Sequence, residues 1–165
     1  MPVSPVPDGF HTVTPYLIIN GANLAIDFYK EAFGANEVMR LEVEGHVGHA
    51  EIEIGDSRIM LAEEATEAGF LGPATLGGSP VGIVLYVEDV DAFFARALEA
   101  GAEEKLPVAD QFYGDRAGTL LDPFGHVWTV MTHLEDLSTE ELEERFLDIV
   151  AQQFEEQTFE EQSEE

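Results

Sequence analysis

Apolar positions along the chain keep two rhythms, one of period two and one near 3.6, and the two alternate in a fixed order. Thr12 to Asn20 reads TVTPYLIIN, β-branched and aromatic, which predicts a strand. Pro15 cannot donate to a ladder, so this strand belongs at an edge or begins there. Gly21 breaks it. Asn23 can cap a helix running to about Phe33, with Leu24, Ile26, Phe28 and Phe33 on its apolar face. Gly34 stands where helices end in the left-handed conformation. Strands follow at about 36–43, 46–54 and 57–63, the last two joined at Gly55-Asp56, a hairpin signal.

The stretch 64–80 holds four glycines and two prolines and reads as a connection between modules. After it the order starts again. Val81 to Val87 is a strand. Asp89 or Asp91 caps a helix that buries Val90, Phe93, Phe94, Ala97 and Leu98 and closes at Gly101. Strands are predicted near 102–106, 115–121 and 126–132, with the turn Asp122-Pro123-Phe124-Gly125 before the last. A shift of 67 positions lays Gly34-Ala35 on Gly101-Ala102, Ala25 on Ala92 and Ile18 on Leu85. The period is too long for a solenoid. The expected fold class is therefore α+β: two βαβββ modules at about 12–64 and 81–133, forming one domain over 1–133. Trp128 alternates with Thr129 and is expected in the core. Beyond the modules, Ser138-Thr139-Glu140-Glu141 is a capping-box pattern, and Leu142, Phe146, Leu147, Ile149, Val150 and Phe154 recur near helical spacing. An amphipathic helix is expected within 134–154, packing on the body or on a partner chain, and an acidic disordered tail over 155–165.

Composition narrows the setting. No run of 18 apolar residues is present, so no transmembrane helix is expected. Met1 to Phe10 has three prolines and no basic residue, unlike a signal peptide, and there is no cysteine to form disulfides or act as a thiolate. Cytoplasmic residence is the expectation. Formal net charge is −27, from 34 acidic and 7 basic residues. The segment from Leu134 carries 13 acids and one base, Arg145, so the remaining 21 acids and 6 bases leave the body acidic on its own. Such a field repels nucleic acid and anionic membranes and favours cationic ligands. Solubility and adaptation to high salt are the alternative explanations. Lysine is scarce, at two residues, but Glu outnumbers Asp 24 to 10, which does not settle the halophile reading.

The segments AIDFYKEAFGA, GHAEIEIGDSRIMLAEE, YVEDVDAFFARALEAGA, DQFYGDRAGTLLDPFGHVWTV and HLEDLSTEEL resemble the PhnB-like branch of the vicinal-oxygen-chelate superfamily, which holds glyoxalases, bleomycin-resistance proteins and ring-cleaving dioxygenases. The resemblance spans about Val13 to Glu144. It implies curled mixed sheets around a ligand cup, frequently completed in a homodimer, and, in metal-dependent members, four inward ligands from the first and fourth strands of each module. Carried onto this chain, those positions fall at about Thr14, Met60, Gly82 and Thr129. None is a His or a carboxylate, and Thr and Met suit a hard divalent ion poorly. No metal and no cofactor is therefore expected there.

Other residues retain candidate chemistry. His49 and Glu51, two apart on a strand, share a face and could bind a metal, act as base and orienter, or simply hydrogen-bond. His126 follows the DPFG turn and can hold it or touch ligand. By parity Tyr16 and Ile18 share a face with Thr14, and Val84 and Tyr86 with Gly82; the two tyrosines could oppose one another across the cup. Phe112, Tyr113 and Arg116, flanking Gly114-Asp115, form a loop able to close over a ligand with Arg116 pairing an anion, or a cluster in which Asp115 and Arg116 set register. Gly77-Gly78 lacks the following lysine of a phosphate loop. The ligand cup is accordingly placed at Thr14, Tyr16, His49, Glu51, Met60, Tyr86, Phe112, Tyr113, Arg116 and Thr129. Three functions remain in view: a metal-independent small-molecule binding protein resembling the bleomycin-resistance proteins and favouring cationic ligands; a metal-dependent lyase or dioxygenase of the glyoxalase superfamily with a displaced site; and an interaction protein acting through its acidic C-terminal helix.

Overall fold

A computed structural model describes residues 3–163, with side chains described through Gln152. The first module runs β1 (Tyr16–Ile19), α1 (Ala22–Phe33), β2 (Asn36–Val43), β3 (His46–Ile54) and β4 (Ser57–Glu63). The connection holds a 3-10 turn (Thr66–Ala68) and one turn of helix, α2 (Pro73–Leu76). The second module runs β5 (Gly82–Tyr86), α3 (Val90–Glu99), β6 (Glu103–Asp110), β7 (Asp115–Leu121) and β8 (Val127–His133), and α4 (Thr139–Ser163) follows. The repeat read from residue order is thus present as two four-stranded mixed sheets, ordered β1-β4-β3-β2 and β5-β8-β7-β6. In each, the first strand lies parallel to the fourth and the other pairings are antiparallel.

The parallel pairing explains why a helix follows each first strand. A parallel partner cannot be reached through a hairpin, so the chain crosses over through α1 or α3. Each helix covers one face of its own sheet, and the two helices pack together, joining both halves in one core. Trp128, Tyr29, Ile26, Ile52, Leu61 and Leu120 are wholly buried there. Phe33 stacks on Phe93 from the other module at 5.5 Å and meets Trp128 edge-on at 4.8 Å.

Several local expectations change. Helix α1 is preceded by Gly21 at φ 92, and Asn23 does not cap it. The cap comes from across the sheet: the Glu63 carboxylate accepts from Gly21 N at 2.7 Å and Ala22 N at 2.9 Å. Asn23 instead donates to the Gly45 carbonyl and accepts from Arg40. Leu24, expected inside, is exposed, and Tyr29 takes the inward position. Strand β6 continues past Pro107 to Asp110, because it is an edge strand with register shifts around the proline. Asp89 caps α3 by accepting from Ala92 N at 3.0 Å. Ser138 and Glu141 make the reciprocal capping box of α4, whose backbone runs on through the acidic stretch to Ser163.

One carboxylate ties the modules together. Asp122, nearly fully buried, accepts from Tyr29 Oη at 2.7 Å, Trp128 Nε1 at 2.8 Å, and the backbone N–H groups of Phe124 and His126 at 2.9 Å. Burial and the Asp122 charge push the Tyr29 phenol well above its ordinary pKa.

Candidate functional site

Each sheet buries one face under its helix and leaves the other open. On the first sheet Leu17 and Ile19 point inward, while Tyr16 and Ile18 point to the open side. Register extends that side into a row across four strands: Tyr16 opposes Met60, Met60 opposes Glu51, and Glu51 opposes Met39. His49 lies beside this row, its ring 5.8 Å from that of Tyr16 and its Nε2 3.6 Å from Glu51 Oε1. Glu51 is committed elsewhere, to Arg58 Nη1 at 2.8 Å. Four of the expected cup residues, Tyr16, His49, Glu51 and Met60, therefore share one surface.

At the end of this face nearest the connection lies a cavity of about 690 Å³. Tyr16, Ile18 and Phe70 give it apolar walls, and His46, Glu63 and Glu64 give it polar ones. Both carboxylates are held in place. Glu63 caps α1, and Glu64 accepts from Gly72 N at 2.6 Å and Thr75 Oγ1 at 2.8 Å. All of these donors are neutral, and among the described residues neither carboxylate forms an ion pair with Lys, Arg or His. The cavity thus borders Glu64, a carboxylate that no neighbouring cation offsets among the described residues, while the Glu63 carboxylate is turned to the N-terminus of α1. Glu63, Glu64, His46 and Phe70 were not singled out in the sequence. Their only sequence signal is position: His46 opens β3, Glu63 ends β4, and Glu64 and Phe70 lie in the connection after it.

The second sheet carries Tyr86 and Thr129 on its open face, where Val84 opposes Thr129 and Thr129 opposes Thr119. The two tyrosines do not pair. Tyr86 Oη donates to Asp115 Oδ2 at 2.9 Å, and His133 Nδ1 meets Asp115 Oδ1 at 2.6 Å. His133 Nε2 reaches Asp136 at 3.1 Å. The hydrogen bond to Asp115, and then that to Asp136, raises the His133 pKa. Asp115 is buried and serves this trio rather than Arg116. Arg116 faces away from the open side, where it pairs with Asp91 of α3 and with Asp110, both at 2.8 Å. It clamps helix to strand. Phe112 and Tyr113 pack edge-on at 5.2 Å, and Phe112 lies 5.9 Å from Phe146 of α4, so this loop docks the C-terminal helix. Thr14 precedes β1 and donates to the His11 carbonyl.

The four metal-ligand positions can be tested on this register. Met60 and Thr129 on the fourth strands oppose Tyr16 and Val84, two residues beyond Thr14 and Gly82. No side chain of either set is a His or a carboxylate, and among the described residues no three His, Asp or Glu converge as a metal-holding group. The residues present do not fit the four-ligand site of metal-dependent members.

A groove separates the two sheets. Backbone bonds from Met60 N to Pro15 O and from Glu64 N to Ile19 O turn the odd-numbered residues of β1 toward β4, which leaves the Tyr16 and Ile18 backbone on the free edge. The bond from Val87 N to Met131 O does the same for Gly82, Val84 and Tyr86 in β5. The two free edges line a common groove, about 540 Å³ where it passes His126 and about 950 Å³ where it passes Arg58 and His133.

Comparison with known proteins bears on all of this geometry. Residues 10–130 match the Glyoxalase/Bleomycin resistance protein/Dioxygenase superfamily. The uncharacterized protein Rv0887c of Mycobacterium tuberculosis is 38% identical over 135 residues, covering 79% of this chain and 79% of that protein. Among solved structures, TioX from Micromonospora sp. ML1 is 25% identical with a TM-score of 0.61, covering 75% of this chain and 99% of its own. The PhnB protein of Bacillus cereus, 18% identical with a TM-score of 0.58 over 74% of this chain and 99% of its own, shares the fold.

Proposed function

The chain belongs to the Glyoxalase/Bleomycin resistance protein/Dioxygenase superfamily, and we propose that within it this protein binds a small, planar, cationic molecule without a metal at the four strand positions. The observation that carries this reading is the cavity beside Tyr16 and Phe70, bordered by Glu64, whose carboxylate forms no ion pair among the described residues. Aromatic faces attract cations, and fixed carboxylates attract them further. A cavity of about 690 Å³ is of the size that takes a drug-sized molecule. The acidic body adds a long-range field of the same sign. Binding without turnover is the mode of the bleomycin-resistance type of protein that the sequence resembles.

Calorimetric titration with bleomycin A2 and with ethidium, against the anionic dye anilinonaphthalene sulfonate, tests this. Both cations should bind and the dye should not. Glu64→Gln keeps an acceptor for Thr75 but removes the charge, and should weaken cation binding about three- to tenfold. Absence of binding by either cation, or tighter binding of the dye, overturns the reading.

The open faces also favour a homodimer. Tyr16, Val84 and Tyr86 are 49%, 51% and 64% exposed, and Leu41 and Leu106 stand open on the same sides. A second copy would cover them. Light scattering on the eluting protein should give twice the chain mass. An enzyme with a displaced metal site rests on the His49–Glu51 pair. Metal analysis of protein purified without chelator should find no near-stoichiometric Ni, Zn, Fe, Mn or Co if the binding reading holds.

A further inference from the structure

The geometry points to a second binding site in this chain, at His126 in the groove between β1 and β5, selective for apolar molecules that carry one hydroxyl. His126 is only 8% exposed, yet its Nε2 is closed off from solvent without a hydrogen-bond partner. A buried polar atom left unpaired is costly, and such atoms mark places where a water or ligand completes the bonding. The groove beside it is about 540 Å³, within the range of small-molecule sites. Leu17, Ile83, Leu71, Pro73 and Leu76 line it, and among the described residues no Asp, Glu, Lys or Arg does.

The chemistry of the ring selects the ligand. Burial pushes the His126 pKa down, against the opposing influence of the Asp122 carboxylate and the Ile18 backbone, so the imidazole is neutral near pH 7. A neutral imidazole nitrogen donates in one tautomer and accepts in the other. A hydroxyl satisfies either. A carbonyl or an ammonium satisfies only one, and a charged group would be stranded against apolar walls. The class that fits is an alcohol or phenol with a compact apolar body. Because Nε2 is closed off from solvent, the groove wall, to which the connection supplies Leu71, Pro73 and Leu76, must yield for the hydroxyl to reach it. Gly77 and Gly78, both at positive φ, end α2 at that point.

The site stands or falls apart from the cation reading, since its test uses neutral probes: 2-naphthol and naphthalene, nearly equal in shape and differing in the hydroxyl. In the full chain 2-naphthol should bind about tenfold or more tightly than naphthalene, one good hydrogen bond converted to affinity. It should also move the ring nitrogen resonances of His126. His126→Phe should abolish the preference while naphthalene still binds. If that variant does not fold, the nitrogen shift in the unaltered chain decides. Equal affinities, an unmoved His126 resonance, or a preference that survives His126→Phe overturns the proposal. So does a crystal soaked with 2-naphthol in which a water sits at Nε2.

Discussion

Asp122 accepts four hydrogen bonds from a position that reads, in sequence, as the first residue of a turn. Replacing it with Ala leaves the Tyr29 hydroxyl and the Trp128 N–H buried without an acceptor, and should cost about 3–5 kcal/mol by urea denaturation. The raised Tyr29 pKa has a signed consequence. The folded chain holds the phenolic proton more tightly than the unfolded chain, so this contribution is complete below pH 10. It is lost as pH rises through the folded value. Alkaline difference spectra should show Tyr29 ionising only with unfolding. His133 follows the same sign in a lower window. Asp115 and Asp136 raise its pKa, so its contribution is present below the ordinary histidine range and fades as pH rises above it. Proton titration of its ring by NMR should give a midpoint above the ordinary value, and Asp115→Asn should bring it down.

Elements were legible where their own residues set them and less so where distant ones did. The alternation in β3, β4, β7 and β8 and the 3.6-residue spacing in α1 and α3 depend on local pattern, and their bounds follow it within a residue or two. The cap of α1 does not: Glu63 lies 42 positions from Gly21, and no spacing rule links them. Asn23, the better local cap, is taken by Arg40 and the Gly45 carbonyl. The same limit hid the site. Asp115 meets Tyr86 and His133 across 29 and 18 positions, and Glu63 and Glu64 gain meaning only once the connection folds over β1. Tyr16 and His49 could be placed because strand parity needs no partner. Two substitutions probe this scale. Glu63→Ala should lower stability by about 1 kcal/mol through the lost cap of α1. A Cβ on Gly118 would stand 2.7 Å from Phe94 and 2.8 Å from Val108, so Gly118→Ala should cost about 1–3 kcal/mol by overpacking where α3 meets β7. Thermal melts read both.

At the scale of the molecule, charge acts against cohesion. A net charge of −27 repels itself, and dimerisation would bring two such fields together. Screening relieves this within about 8–10 Å at physiological salt. The melting temperature and the dimer fraction should therefore both rise between about 20 mM and 500 mM NaCl, followed by calorimetry and light scattering. Cation binding should weaken over the same range. Failure of the melting temperature to rise would mean that local pairing, as in the Arg116 and Arg145 clusters, already outweighs the global field.

The tie through Asp122 makes the two modules unequal despite their matching order. The first module supplies a phenol, Tyr29, and the second supplies its acceptor. The hairpin of the first module has Gly55-Asp56-Ser57 where the second has the DPFG turn, and Asp56 stays exposed. A molecule made of two first modules would hold two buried phenols and no acceptor. One made of two second modules would hold two acceptors and no counterpart of the buried Tyr29. The repeat is a lock and its key, and neither half can be doubled to replace the other.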